Sequence, residues 1–242
     1  MKDVTFEEAK RRLILALDVP GIPAGEALLD ALEGQVGLVK VGLELFTACG
    51  PAAVEMVKRR GFEVFLDLKL HDIPATVAGA VRSARALGVS MLTVHTGGGA
   101  EMMRRAAEEA GDAIRVLGVT VLTSLGAEDL PAVCVAGSPA DVVERRAALA
   151  ASAGLGGVVC SPNEVRLVRA AVGPDVAIVT PGIRPSGADA GDQKRAATPS
   201  SAIGDGSDYL VVGRPIHGAP DRRAAAQAIV EEIRGALRAR GA

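Results

Sequence analysis

Tryptophan is absent from the 242 residues, and tyrosine and phenylalanine together supply one and four side chains. So sparse an aromatic set offers no series of stacking platforms for the bases of a single strand. An excess of charge of one sign is lacking too: 27 Lys and Arg stand against 29 Asp and Glu, a formal net charge of -2. Nucleic-acid binding through a clustered basic surface is therefore not expected. The three cysteines, Cys49, Cys134 and Cys160, are far apart and contain no CxxC pair. That spacing excludes a disulfide framework and a cysteine-based zinc site, and the three read as small buried hydrophobes. Three scattered histidines argue against a His-based metal site. No apolar run approaches the ~20 residues of a membrane-spanning helix. Asp3, Glu7 and Glu8 precede the first apolar run, which is unlike a signal peptide, so a cytoplasmic location with no membrane partner is expected.

What is present is a regular alternation. Eight short apolar runs occur at residues 13–17, 38–41, 64–68, 91–94, 116–122, 157–160, 177–179 and 209–212. They are β-branched-rich and apolar on both faces, as buried parallel strands are. Between them, residues 24–32, 52–60, 75–87, 101–110, 140–153, 163–171 and 221–240 show helical spacing. Pro51, Pro74 and Pro162 suit first turns, and Gly34, Gly61, Gly88 and Gly111 suit helix ends. Thr5 to Glu8 has the form of a capping box, which predicts a short additional helix before the first strand. No linker or composition break divides the chain. The pattern predicts an α/β fold, a (β/α)8 TIM barrel, as a single domain over residues 1–242. An open doubly wound sheet is the alternative, but Asp18-Val19-Pro20-Gly21 stands where its glycine-rich turn would be.

Polar residues gather at the carboxyl ends of these runs: Asp18, Lys40, Asp67 with Lys69, His95, Thr123 with Ser124, Thr180 and Arg214. In a barrel those ends meet at one mouth, where active sites are built. The densest segment is Val64-Phe65-Leu66-Asp67-Leu68-Lys69-Leu70-His71-Asp72-Ile73-Pro74. Strand alternation puts Phe65, Asp67 and Lys69 on one side and Leu66 and Leu68 on the other. With Asp72 just beyond the strand and Lys40 on the preceding one, an alternating set of Lys40, Asp67, Lys69 and Asp72 is expected. A purely structural ion-pair network is a poor route to stability, because desolvation offsets much of the attraction. Chemically, two carboxylates keep Lys69 protonated and make it a general acid. A fixed carboxylate repels an anionic substrate group until that group loses its charge, and an ammonium stabilises and then protonates a developing carbanion.

A second segment, Thr180-Pro181-Gly182-Ile183-Arg184-Pro185, continues to Gln193, and the last strand runs into Gly213-Arg214-Pro215. Loops after strands seven and eight form the usual phosphate site of this fold. Gly213 permits close backbone approach, Arg214 offers a bidentate cation, and Gln193 is placed to cross the mouth with a closing loop. Together the two segments predict a phosphorylated small molecule held over a charged acid–base site.

The segment from Asp67 to Pro74 resembles the DxKxxDIP signature of the bacterial-type orotidine 5′-monophosphate decarboxylase family. The resemblance extends to Leu15-Ala16-Leu17-Asp18, Val39-Lys40-Val41-Gly42, residues 120–124, residues 180–184 and Val211-Val212-Gly213-Arg214-Pro215. It implies cofactor-free and metal-free conversion of orotidine 5′-monophosphate to uridine 5′-monophosphate and CO2, the last step of de novo pyrimidine synthesis. By that resemblance Lys69 protonates C6 of the pyrimidine, Asp67 lies against the substrate carboxylate, and Lys40 and Asp72 complete the network. Asp18 and Lys40 bind ribose hydroxyls, and Ser124 with Thr123 meets the pyrimidine amide edge. Pro181, Arg184, Gln193, Gly213 and Arg214 form the phosphate end. Asp72, Ile73 and Thr76 reach into the neighbouring subunit's site, which implies a homodimer with shared sites. The rival readings are a metal-dependent sugar-phosphate decarboxylase or synthase on the same barrel, and a silent nucleotide-binding or scaffold protein.

The remaining polar residues read as structural. His95 is expected to pack near the network, His71 to face away from the surroundings of Lys69, and His217 to lie at the surface where a helix starts. Arg59-Arg60, Arg104-Arg105 and Arg145-Arg146 read as solvated helix faces, and Ser161 and Asn163 as helix-capping residues.

Overall fold

A computed structural model describes residues 3–185 and 197–240. Eight parallel strands close into a barrel in sequence order. They are β1 (Leu13–Ala16), β2 (Leu38–Gly42), β3 (Glu63–Leu70), β4 (Met91–His95), β5 (Arg115–Val119), β6 (Gly157–Val159), β7 (Ala177–Thr180) and β8 (Tyr209–Val212). The last closes on the first, with Ile14 opposite Val211 and Leu15 opposite Val212. This is the (β/α)8 barrel that the alternation of apolar runs predicts.

Two apolar layers follow from the two faces of each strand. Ile14, Ala16, Leu38, Phe65, Met91, Leu117, Val179 and Val211 fill the barrel interior. Their strand neighbours Leu13, Leu15, Val39, Val64, Leu66, Leu92, Val116, Val158, Ile178, Leu210 and Val212 point outward into the larger core beneath the helices. Since side chains alternate, the positions two residues beyond the interior plug also face inward, one layer nearer the carboxyl ends. Lys40 lies two beyond Leu38, Asp67 two beyond Phe65 and Thr93 two beyond Met91, and all three are buried. The polar layer thus rests on an apolar floor.

The helices start and stop largely where local chemistry dictates. Thr5 accepts from the Glu8 N–H and Glu8 returns the bond, completing the capping box of the helix Phe6–Lys10. Pro51 and Pro74 open the helices Pro51–Arg59 and Pro74–Leu87. Ser161 caps the turn Pro162–Glu164. Three short helices carry too few residues for a periodic signal: Leu43–Cys49, Pro199–Asp205 and Arg214–His217. β5 ends at Val119 rather than running to residue 122. Thr120 still gives both its N–H and its Oγ1 to the Val159 carbonyl, at 3.2 and 2.9 Å, and the apolar residues after it belong to a loop.

Candidate active site

β3 is irregular where it enters the polar layer. Leu66 pairs with Leu92, but the next partners are Leu70 and Val94, so four residues of β3 span two of β4. Lys69 absorbs the excess with a left-handed φ of 50°. Such a conformation in a non-glycine residue costs on the order of 1–3 kcal/mol and persists only where the surroundings impose it. Here Thr93 imposes it. Its Oγ1 accepts the Lys69 N–H at 2.8 Å and donates to Asp67 Oδ1 at 2.9 Å.

The bulge folds Lys69 back onto Asp67. Lys69 Nζ stands 2.9 Å from both carboxylate oxygens of Asp67. On the other side, Lys40 Nζ lies 3.6 Å from Asp67 Oδ2 and 3.0 Å from Asp18 Oδ1. One chain therefore holds the sequence Asp18, Lys40, Asp67, Lys69, alternating in sign. Asp67 and Lys40 are each only 9% exposed, so the inner ion pair sits where water screens little.

Asp72 departs from the expected set. Its side chain is exposed and its Oδ1 accepts the Ile73 N–H at 2.6 Å. Among the described residues it makes no ion pair, because the chain turns outward after Leu70 to begin the helix Pro74–Leu87. Asp18 is the second carboxylate of the set within one chain. Ile73, 66% exposed, and Thr76, also exposed, lie on the same outer rim.

A cavity of about 400 Å³ adjoins the charged set. Its lining includes Asp18, Lys40, Pro181, Arg184, Gly213 and Arg214. Gly182 makes the turn after β7 with a φ of 79°, and the Arg184 N–H donates to the Ala197 carbonyl at 2.9 Å. A β-carbon at Gly213 would stand 3.3 Å from that of Ala16, so the backbone passes closer to β1 than a side chain allows comfortably. Gln193 lies outside the described residues. Thr123 and Ser124 occupy the loop after β5, the first half-buried and the second exposed.

Sequence reasoning missed several members. His217 is not a surface residue at a helix start. It ends the short helix Arg214–His217 and lines the same cavity. Burial lowers its pKa, the Asp18 charge opposes that, and Arg214 and Arg222 lower it further. Gly42 leaves the space in which Lys40 meets Asp18. His71 does not face away from the surroundings of Lys69 but stacks on His95, at 5.2 Å between ring centres. His95 is held neutral, its pKa lowered to about 4 by burial and then by the charges of His71, Arg146 and Lys69. Arg146, expected on a solvated face, is half-buried and donates to the Thr120 carbonyl at 2.7 Å. Signals for Gly42 and His217 were present, since Gly42 ends β2 and His217 comes shortly after β8, but neither residue type announces a partner. Among the described residues, no group of three or more His, Cys, Asp and Glu side chains is arranged to hold a metal ion.

The sequence model of the family described as "Orotidine 5'-phosphate decarboxylase / HUMPS family" matches residues 11–229. An orotidine 5′-phosphate decarboxylase of Anaeromyxobacter sp. (strain K) is 58% identical over 218 residues, 90% of this chain and 96% of that protein. The one from Moorella thermoacetica is 55% identical over an alignment of 244 residues, 96% of each. The crystal structure of orotidine 5′-phosphate decarboxylase from Lactobacillus acidophilus superposes with a TM-score of 0.83 at 36% identity, covering 92% of this chain and 99% of that one. With the family model spanning nearly the whole barrel and these relatives matching at least nine tenths of the chain, this chain belongs to the orotidine 5′-phosphate decarboxylase / HUMPS family.

Proposed function

We propose that this chain decarboxylates orotidine 5′-monophosphate to uridine 5′-monophosphate and CO2, the closing step of de novo pyrimidine synthesis, in the cytoplasm. The observation that carries this reading is the adjacency of two features: the Asp18–Lys40–Asp67–Lys69 set and a cavity rimmed by Arg184 and Arg214. A nucleoside monophosphate that places its phosphate at the arginines extends its pyrimidine over Lys69.

In this reading the substrate carboxylate lies against Asp67. Repulsion between the two disfavours the bound ground state and falls away as the bond from C6 to the carboxylate breaks. The bonding electron pair stays on C6, CO2 leaves, and Lys69 Nζ gives its proton to C6. Lys40 holds Asp67 in place, and Asp18 and Lys40 meet the ribose hydroxyls. Thr123 and Ser124 meet the pyrimidine amide edge, and Pro181, Arg184, Gln193, Gly213 and Arg214 form the phosphate end. Phosphate contacts remote from C6 supply binding energy that enforces the charged geometry.

The active form in this proposal is a homodimer. Asp72, Ile73 and Thr76 lie exposed on the rim, and Ile73 is an apolar residue 66% open to solvent. Burying that rim against a second copy carries Asp72 to the partner's Lys69 and supplies its second carboxylate.

Loss of orotidine 5′-monophosphate absorbance with purified protein in EDTA tests the reaction. Rapid conversion to uridine 5′-monophosphate supports it. No conversion, with activity on a sugar phosphate after Mg2+ is added, reassigns the chain to a metal-dependent chemistry on the same barrel.

A further inference from the structure

The end of β3 carries Lys69, and the turn from it into the helix Pro74–Leu87 carries Asp72. The Lys69 N–H is held by Thr93, and Leu70 re-enters the ladder opposite Val94. From there to Pro74 the backbone is outside the sheet, and the Asp72 carboxylate is turned onto the Ile73 N–H.

Within that span the ring of His71 lies on the ring of His95, 5.2 Å between centres and 16° from parallel. This is a stacked arrangement of the kind that planar rings favour. The seat beneath it is made of residues without side chains. A β-carbon at Gly98 would stand 3.2 Å from His71 Cδ2, and one at Gly97 would stand 3.5 Å from His71 Cε1 and 3.1 Å from His95 Nδ1. His95 is itself anchored, because its Nδ1 accepts the Gly97 N–H at 3.1 Å. Thr96 is buried and donates through Oγ1 to the Val119 carbonyl at 2.8 Å, tying the seat to β5.

We propose that His71 and His95 are a positioning pair: the stack of His71 on His95 fixes the turn that presents Lys69 to the reacting carbon and Asp72 to the rim. The inference rests on the assignment of Lys69 as proton donor. Neither imidazole lines the cavity between Lys40 and Arg214, so the pair acts on turnover and leaves affinity for the nucleotide unchanged. A displacement of about 1 Å in a reacting group costs up to about a hundredfold in rate, which is the scale on which the pair operates.

A double-mutant cycle on His71→Ala and His95→Ala tests it, with kcat for orotidine 5′-monophosphate and Kd for uridine 5′-monophosphate measured on each protein. Each single change is expected to lower kcat about tenfold, and the double change no further than the worse single, because both remove one interaction. Kd is expected to stay within about twofold of wild type in all three. His71→Phe keeps a flat ring on His95 and restores most of kcat, whereas His95→Asn keeps an acceptor for Gly97 but no ring and is as slow as His71→Ala.

Multiplying effects in the double variant, an unchanged kcat in His71→Ala, or a Kd that rises with the loss of kcat overturns the proposal. So does His71→Phe as slow as His71→Ala. If the alanine variants do not fold, His71→Phe and His95→Asn decide alone, active and slow being the expected outcomes and the reverse the contrary ones. Lys69→Ala assayed beside them separates the two levels. Activity in that variant removes the proton-donor reading, while an inactive Lys69→Ala with a failed cycle removes only the pair.

Discussion

A β-carbon on Gly42 would stand 2.8 Å from Lys40 Nζ and 3.1 Å from Asp18 Oδ1. The glycine at the end of β2 is therefore part of the site, since it leaves the gap through which Lys40 reaches Asp18. Lys40 is also held by Asp67 at 3.6 Å, so it cannot swing aside without leaving a buried carboxylate short of one of its two cationic partners. Gly42→Ala is expected to lower kcat/KM about tenfold or more, as loss of a charge-assisted contact does. Gly235→Ala is the control: it lies in the helix Arg222–Arg240, nothing crowds its β-carbon, and it is expected to stabilise the fold by ~0.5–1 kcal/mol at unchanged turnover. Equal activity in both variants contradicts the role of Gly42.

Arg214 lines the cavity together with Asp18 and Lys40. Arg214→Ala is expected to raise KM about ten- to a hundredfold, the scale of a hydrogen bond between charged groups. Steady-state kinetics check it. An unchanged KM removes Arg214 from the phosphate end.

If Asp72 serves the partner's Lys69, two defective proteins repair each other. Lys69→Ala and Asp72→Asn homodimers are each expected to be nearly inactive. Mixed and allowed to exchange subunits, they form a hybrid that carries one site with both changes and one with neither. Random exchange makes half the dimers hybrids and half their sites intact, so activity is expected to reach about a quarter of wild type. No recovery after demonstrated exchange places both residues in the same chain's site.

His95 is half-buried, faced by His71 and Lys69 from the end of β3 and by Arg146 from the helix Pro139–Ser152. Burial first, then the electrostatic effect of these neighbours, lowers its pKa from 6.5 to about 4. Unfolded, it takes a proton near its ordinary value, so between those two pH values the unfolded chain binds more protons than the native one. Stability is therefore expected to fall as pH drops from 6.5 towards about 4, and this contribution to level off below. Urea midpoints in that range and at neutral pH, for wild type and His95→Asn, measure it. A loss as large in His95→Asn as in wild type assigns the effect elsewhere.

The barrel and its mouth were legible in the sequence because they depend on period-two alternation and on residue type. Phe65 and Asp67 fell on one face by alternation, Lys40 was placed at the mouth as the end of the preceding strand, and prolines and one capping box marked helix starts. What was not legible depends on partners across the sheet. The bulge after Leu66 exists because Thr93 can hold Lys69 in a left-handed conformation, and nothing in the segment from Asp67 to Asp72 names Thr93. The chain then turns outward after Leu70, which is why the three charged residues Asp67, Lys69 and Asp72, close together in the signature, do not form one network in one chain. Short helices such as Leu43–Cys49 are too brief for a periodic signal and follow from where the strands deliver the chain.

The central claim is that Lys69, bridging both oxygens of Asp67, delivers the proton that replaces CO2. Its most direct test is kcat for orotidine 5′-monophosphate in Lys69→Ala, beside the Kd of the same protein for uridine 5′-monophosphate. The account predicts turnover lower by at least about 10²–10⁴, the range ascribed to a positioned proton donor, with nucleotide binding retained. Substantial turnover in a folded Lys69→Ala protein would contradict it.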